Sequence, residues 1–101
     1  MELENFIGKE GKDYHVTSSV NKGIVLVLAE VKELESPKNV PGHIRKKPFC
    51  LIFHGRLSDG AESDLLRIKS SSGEEFQLSV NNEGPIEGDE SKGFQYFAIF
   101  N

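Results

Sequence analysis

Histidine and cysteine carry most of the metal-binding and nucleophilic chemistry open to a side chain near neutral pH. The chain has three histidines, His15, His43 and His54, and one cysteine, Cys50. No two histidines stand at the i, i+4 helical or i, i+2 strand spacing that makes a ready metal pair, so they read as surface or rim residues. Cys50 and His54 suggest a thiol and its base. On a strand, four residues span about 13 Å at roughly 3.3 Å per residue, too far for proton transfer. Cys50 therefore reads as a buried thiol that packs like a small hydrophobe. Gly8-x-x-Gly11 lacks the lysine and helix of a phosphate loop, and neither a serine elbow nor a paired-carboxylate motif appears. The expectation is a protein that is not an enzyme, with no catalytic residue, no metal and no cofactor.

Charge narrows the partners. With 12 basic and 16 acidic residues the net charge is −4, which disfavours nucleic acid and anionic membrane as partners. Arg45-Lys46-Lys47, beside His43 and Ile44, is the one positive cluster; it is a solvated loop in the plain reading and a dock for an acidic protein surface or a nucleic-acid phosphate in the functional one. The acids Glu83, Glu87, Asp89 and Glu90 lack the 1-3-5 spacing of a calcium loop. A lone cysteine forms no internal disulfide and fits a reducing compartment. Met1-Glu2-Leu3-Glu4 is acidic, without the basic start of a signal peptide. No stretch reaches the roughly 18 to 20 apolar residues of a membrane helix, and a cytoplasmic location is expected.

The elements that must position these residues are strands. Leu3, Phe6 and Ile7 fall at helical spacing, giving a short turn over residues 2 to 8. Tyr14 and Val16 then alternate with Asp13, His15 and Thr17. Residues 24 to 31 form a continuous apolar run suited to a strand buried on both faces. Val31 and Leu34 fall out of step with Leu26 and Leu28, which predicts a bulge near Ala29 or Glu30. Residues 35 to 48 hold three prolines and the basic cluster, so they form a loop. A strand from Phe49 to His54 ends at Gly55. Leu66 and Ile68, a turn at Ser70 to Gly73, and Phe76, Leu78 and Val80 make a hairpin. Residues 81 to 92 read as an exposed loop before the last strand, Gly93 to Phe100.

Six strands without a crossover helix predict a single all-β domain over residues 1–101, an antiparallel meander closed into a barrel or flattened into a sandwich, with a short N-terminal helical turn. The inward set is Tyr14, Val16, Leu26, Leu28, Phe49, Leu51, Phe53, Leu66, Ile68, Phe76, Leu78, Val80, Tyr96, Ala98 and Phe100. Opposite it lie Cys50 and Ile52 on one strand and Phe97 and Ile99 on another. Either the N-terminal turn, with Leu3, Phe6 and Ile7, packs across these four, or the sheet is double-layered, or they face a partner. With Arg45, Lys46 and Lys47 they form the candidate protein-interaction set.

From Phe49 onward the pattern Pro48-Phe49-x-Leu51-x-Phe53-x-Gly55, a hairpin, and Tyr96-x-Ala98-x-Phe100-Asn101 resembles an uncharacterised bacterial family of about 100 residues, a domain of unknown function. Phe6 to Gly8, Tyr14-x-Val16 and Val31-x-x-Leu34 agree with it. Between Arg56 and Asp64 the chain departs from the family, whose members tend to carry a Pro-Gln-Gly turn there. The family is associated with surface-fibre proteins bearing phage tail-collar-like domains. The resemblance implies a protein partner of that kind and an accessory or chaperone-like role. An immunity- or antitoxin-like inhibitor and a barrel that binds a small ligand stand as alternatives, and self-association is left open.

Overall fold

The computed structural model describes residues 3–18, 21–34, 48–57 and 63–100. After a 3-10 turn at Leu3–Asn5 come six strands: β1 (Asp13–Val16), β2 (Val25–Glu33), β3 (Phe49–Gly55), β4 (Ser63–Ser70), β5 (Glu75–Pro85) and β6 (Phe94–Phe100). All pairings are antiparallel, and the sheet closes into a barrel in the order β1-β2-β3-β6-β5-β4. Fold class and closure are as the sequence predicts. The strand order corrects one detail, the single continuous meander: β1-β2-β3 and β4-β5-β6 are two meanders, joined side by side where β1 meets β4 and β3 meets β6. Local alternation constrains which face of a strand is buried and leaves its non-sequential neighbour undetermined.

All fifteen residues assigned inward join the interior. Thirteen of them are buried, and Phe76 and Phe100 are partly buried against the same cluster. Aromatic rings fill much of the space, with Tyr14 edge-on to Phe53 at 5.8 Å and Phe49 stacked on Phe100 at 4.7 Å between centroids. The bulge in β2 lies where the apolar spacing changes: pairing with β3 shifts register between Leu28 and Glu30. Leu28 pairs with Phe53 and Val31 with Leu51. One extra residue thus returns an odd-numbered valine to a face first lined by even-numbered leucines.

The N-terminal turn closes the end of the barrel where β2, β4 and β6 finish. Leu3 and Phe6 are buried in the interior cluster, and the Phe6 ring lies 4.9 Å from Phe76 and 6.1 Å from Phe49. This overturns the expectation that Leu3, Phe6 and Ile7 cover the outward apolar residues; Ile7 is 57% exposed. Phe6 gains more by filling an end lined with three aromatic rings than by lying on the outside, because the interior removes all of its surface from water. Lys9 holds the turn from outside through a 2.9 Å ion pair with Glu74, in the β4–β5 turn. At the other end Leu57 joins the core, and its N–H donates to the Tyr96 hydroxyl at 3.1 Å.

Two glycines sit where only glycine fits. A Cβ on Gly55 would lie 2.5 Å from Leu26 Cδ2 and 3.1 Å from the Val25 carbonyl oxygen, so β2 and β3 approach this closely only without a side chain there. Gly84 has φ +106 and follows a second bulge, where the β5–β6 register shifts between Asn82 and Gly84. The Asn82 side chain accepts a hydrogen bond from the Gly84 N–H at 2.9 Å. That local bond and the tolerance of glycine for positive φ carry β5 on to Pro85. The reading of 81 to 92 as loop is corrected for residues 81 to 85.

Within the second meander, β5 and β6 do not pair along their full length. The β5–β6 register runs from Pro85↔Phe94 to Asn81↔Phe97 and stops. Beyond it, Glu75 to Val80 pair with β4 and Ala98 to Phe100 pair with β3. A seam therefore separates the first half of β5 from the second half of β6, and Phe6 fills the interior beside it through its contact with Phe76.

Candidate protein-interaction surface

The outward face of β3 and β6 brings four of the candidate residues together. Cys50 pairs with Ile99 and Ile52 with Phe97 across the two strands, and side chains so paired are direct neighbours on one face. Their exposure is graded: Cys50 is 4% exposed, Ile52 5%, Phe97 is half-buried and Ile99 is 52% exposed. None belongs to the interior cluster. β2 borders the stripe with charge, since Glu30 pairs with Ile52 and Lys32 with Cys50. On the far side Asn81 pairs with Phe97. The result is an apolar strip two strands wide with polar margins. Arg45, Lys46 and Lys47, the other candidates, lie outside the described residues, as does His43.

The strip is unsuited to thiol chemistry. Burial pushes the Cys50 thiol above its ordinary value; Lys32 opposes this shift, while Glu83 and Glu30 add to it. A thiol so placed stays protonated near neutral pH and is a poor nucleophile. His54 shares its strand and face two pleats away, and pairs with Val27 and Gln95. His15, on β1, is exposed and pairs with Val25 and Lys69. The separation of Cys50 and His54 along one strand is as the spacing predicts.

The acidic segment is occupied with local structure. Asp89 accepts hydrogen bonds from the Ser91 N–H at 3.0 Å and the Ser91 hydroxyl at 2.6 Å, and these bonds hold its carboxyl below the usual carboxylate range. Glu87 pairs with Lys92 at 2.6 Å. The Glu90 carbonyl accepts a hydrogen bond from Arg56, whose guanidinium lies 5.4 Å from the Phe94 ring centroid. Among the described residues no three of His, Cys, Asp and Glu gather as a metal site. None of the described helices is long and apolar enough to cross a membrane.

The expectation that residues 24 to 31 are buried on both faces is corrected, since only Leu26 and Leu28 of β2 are buried and Val25 is 38% exposed on the outer face; one further exposed apolar residue was not singled out from the sequence. Leu65, on β4, is 57% exposed and lines a shallow surface pocket of about 130 Å³ with Ser18, Leu66, Arg67 and Gln77. The signal for Leu65 was present, since it stands next to Leu66 on an alternating strand and so must face outward. For Leu57 the sequence held no comparable signal, because it stands two residues past the end of β3 and its burial depends on the barrel end it meets.

The interior is lined by side chains in contact, as the ring distances above describe, and the apolar surface of interest lies outside. A family model described as a domain of unknown function (DUF6916) matches residues 1–100. No curated protein and no solved structure matches the chain. With nearly its whole length aligned to that model, the chain belongs to the DUF6916 family.

Proposed function

We propose that this domain is a non-enzymatic protein-interaction module, an accessory or chaperone-like factor that binds a surface-fibre protein of the tail-collar-like kind. The observation that carries the reading is the open end of the outward strip, where the exposed Ile99 and the half-buried Phe97 lie beside the buried Cys50 and Ile52 across β3 and β6, with Glu30 and Lys32 along the margin. An apolar strip with a polar rim is the usual composition of a binding surface. The tail-collar partner is suggested by the sequence resemblance, and the reduced, buried Cys50 suits a cytoplasmic setting. The aromatic contacts inside the barrel favour this reading over the small-ligand alternative.

The test is co-expression with the fibre protein followed by co-purification at moderate salt. Retention by the native chain and its loss in Ile99→Lys, with the thermal midpoint unchanged, is the expected result. Failure of the native chain to be retained counts against the fibre protein as partner.

A further inference from the structure

The seam between β5 and β6 shows what form of partner the barrel accepts. In an antiparallel sheet, alternate residues direct both N–H and C=O to the same side. The Ser70 N–H donates to the Glu74 carbonyl at 2.8 Å, and Phe76, Leu78 and Val80 pair with Ile68, Leu66 and Asp64. Even-numbered residues in this half of β5 thus bond toward β4, and Gln77 and Ser79 point their backbone groups toward β6. On β6, the Gly93 carbonyl accepts from the Ile86 N–H at 3.0 Å, so the odd-numbered Gln95, Phe97 and Ile99 face β5. Asn81 and Phe97 meet and are the last pair in register. Past them, Gln77 and Ser79 on one wall and Ile99 on the other have no ladder partner among the described residues. Their side chains are exposed.

An unpaired edge presents regularly spaced donors and acceptors, and that spacing is the template for another strand. We propose that the seam accepts an extended segment of the partner protein, which adds to the β5 edge along Gln77 and Ser79, opposite Ile99. This rests on the interaction reading above and names its mode: backbone pairing supplies affinity, and alternate side chains of the incoming strand reach the apolar strip at Ile99 and Phe97. An alternating apolar strand fits both features, whereas a helix or a folded surface would meet the strip and leave the edge unpaired.

The probe is a synthetic seven-residue peptide of alternating threonine and valine, with a fully N-methylated counterpart that keeps the side chains and cannot donate. In the free native chain the Gln77, Ser79 and Ile99 amides should exchange quickly with deuterium while those inside the ladders are protected. Adding the first peptide should shift the NMR resonances of these amides and slow their exchange, and the methylated peptide should bind at least about tenfold more weakly, as loss of several hydrogen bonds requires. Ser79→Pro removes a donor that points away from β4, a change an edge strand tolerates, and should weaken binding of the first peptide to a similar degree; Gln77→Pro repeats the test.

Equal binding of the methylated peptide would overturn the proposal. So would slow exchange of Gln77 and Ser79 in the free chain, or protection that rises with the concentration of the chain alone, the mark of a second copy. Co-purification of the fibre protein that survives Ser79→Pro and is lost with Ile99→Lys would overturn strand addition and leave the interaction reading standing.

Discussion

The two faces of β3 and β6 are built from the same kinds of residue and meet opposite fates. Phe49, Leu51, Phe53, Tyr96 and Ala98 point inward and are buried by four other strands and by Phe6. One position along, Cys50, Ile52, Phe97 and Ile99 point outward and run from 4% to 52% exposed. Composition therefore does not separate the two sets; what separates them is whether the rest of the barrel lies over them. On the inside, apolar area is stabilising because it is covered. In the outer strip Cys50 and Ile52 are covered as well, at 4% and 5% exposed, and only its open end, Ile99 with the half-buried Phe97, adds less to the stability of the isolated domain and leaves apolar surface for a partner.

That contrast breaks most clearly where an inner ring is removed. Phe53→Ala should destabilise the domain by about 3–5 kcal/mol, as loss of a fully buried aromatic side chain does, and urea unfolding would measure it. A loss below about 1 kcal/mol would mean that the interior is not closely packed at this ring. Gly55→Ala probes the close approach of β2 and β3 without removing anything. Its methyl group overlaps Leu26 Cδ2 and crowds the Val25 carbonyl, and overpacking of this sort costs about 1–3 kcal/mol. An unchanged thermal midpoint would show that the two strands can part without penalty.

Alkaline titration sharpens the comparison by addressing one acid on each face. Burial raises the pKa of Tyr14 inside and of Cys50 on the outer face above their ordinary values of 10.0 and 9.0. Each folded-state value lies above the unfolded one, so the folded chain holds the proton more tightly. The stabilisation is complete below the unfolded pKa and is lost as pH rises through the folded pKa. The urea midpoint should therefore fall above pH 9.0, from Cys50, and further above 10.0, from Tyr14. Cys50→Ala should abolish the first step alone. A midpoint that stays level across this range would show that neither acid is desolvated by folding.

The smallest effect on stability belongs to the exposed end of the strip. Ile99→Ser should change unfolding free energy by less than about 0.5 kcal/mol, while reducing fibre-protein retention in the co-purification assay. A stability loss as large as that of Phe53→Ala would place Ile99 in the core and remove the distinction between the faces.

Several features were legible before any coordinates because they depend on neighbours along the chain. The two-residue repeat set which side chains of the strands point inward, and the even-to-odd change between Leu28 and Val31 located the β2 bulge. The spacing of Cys50 and His54 on one strand excluded proton transfer between them. Each inference uses the fixed two-residue repeat of a strand, a property of the backbone alone.

Other features arise from residues far apart in sequence, and no local pattern encodes them. The pairing of β3 with β6 and of β1 with β4 makes two meanders of what reads as one. The same pairing aligns Cys50 with Ile99 and Ile52 with Phe97, turning two separate alternations into one strip. Phe6 and Leu57 enter opposite barrel ends because closure creates apolar openings there, and the seam beside Phe6 exists because β5 and β6 part after Asn81 and Phe97. Alternation thus determined which way each side chain points, and closure of the sheet decided what it meets, since long-range pairing depends on the combined fit of all six strands.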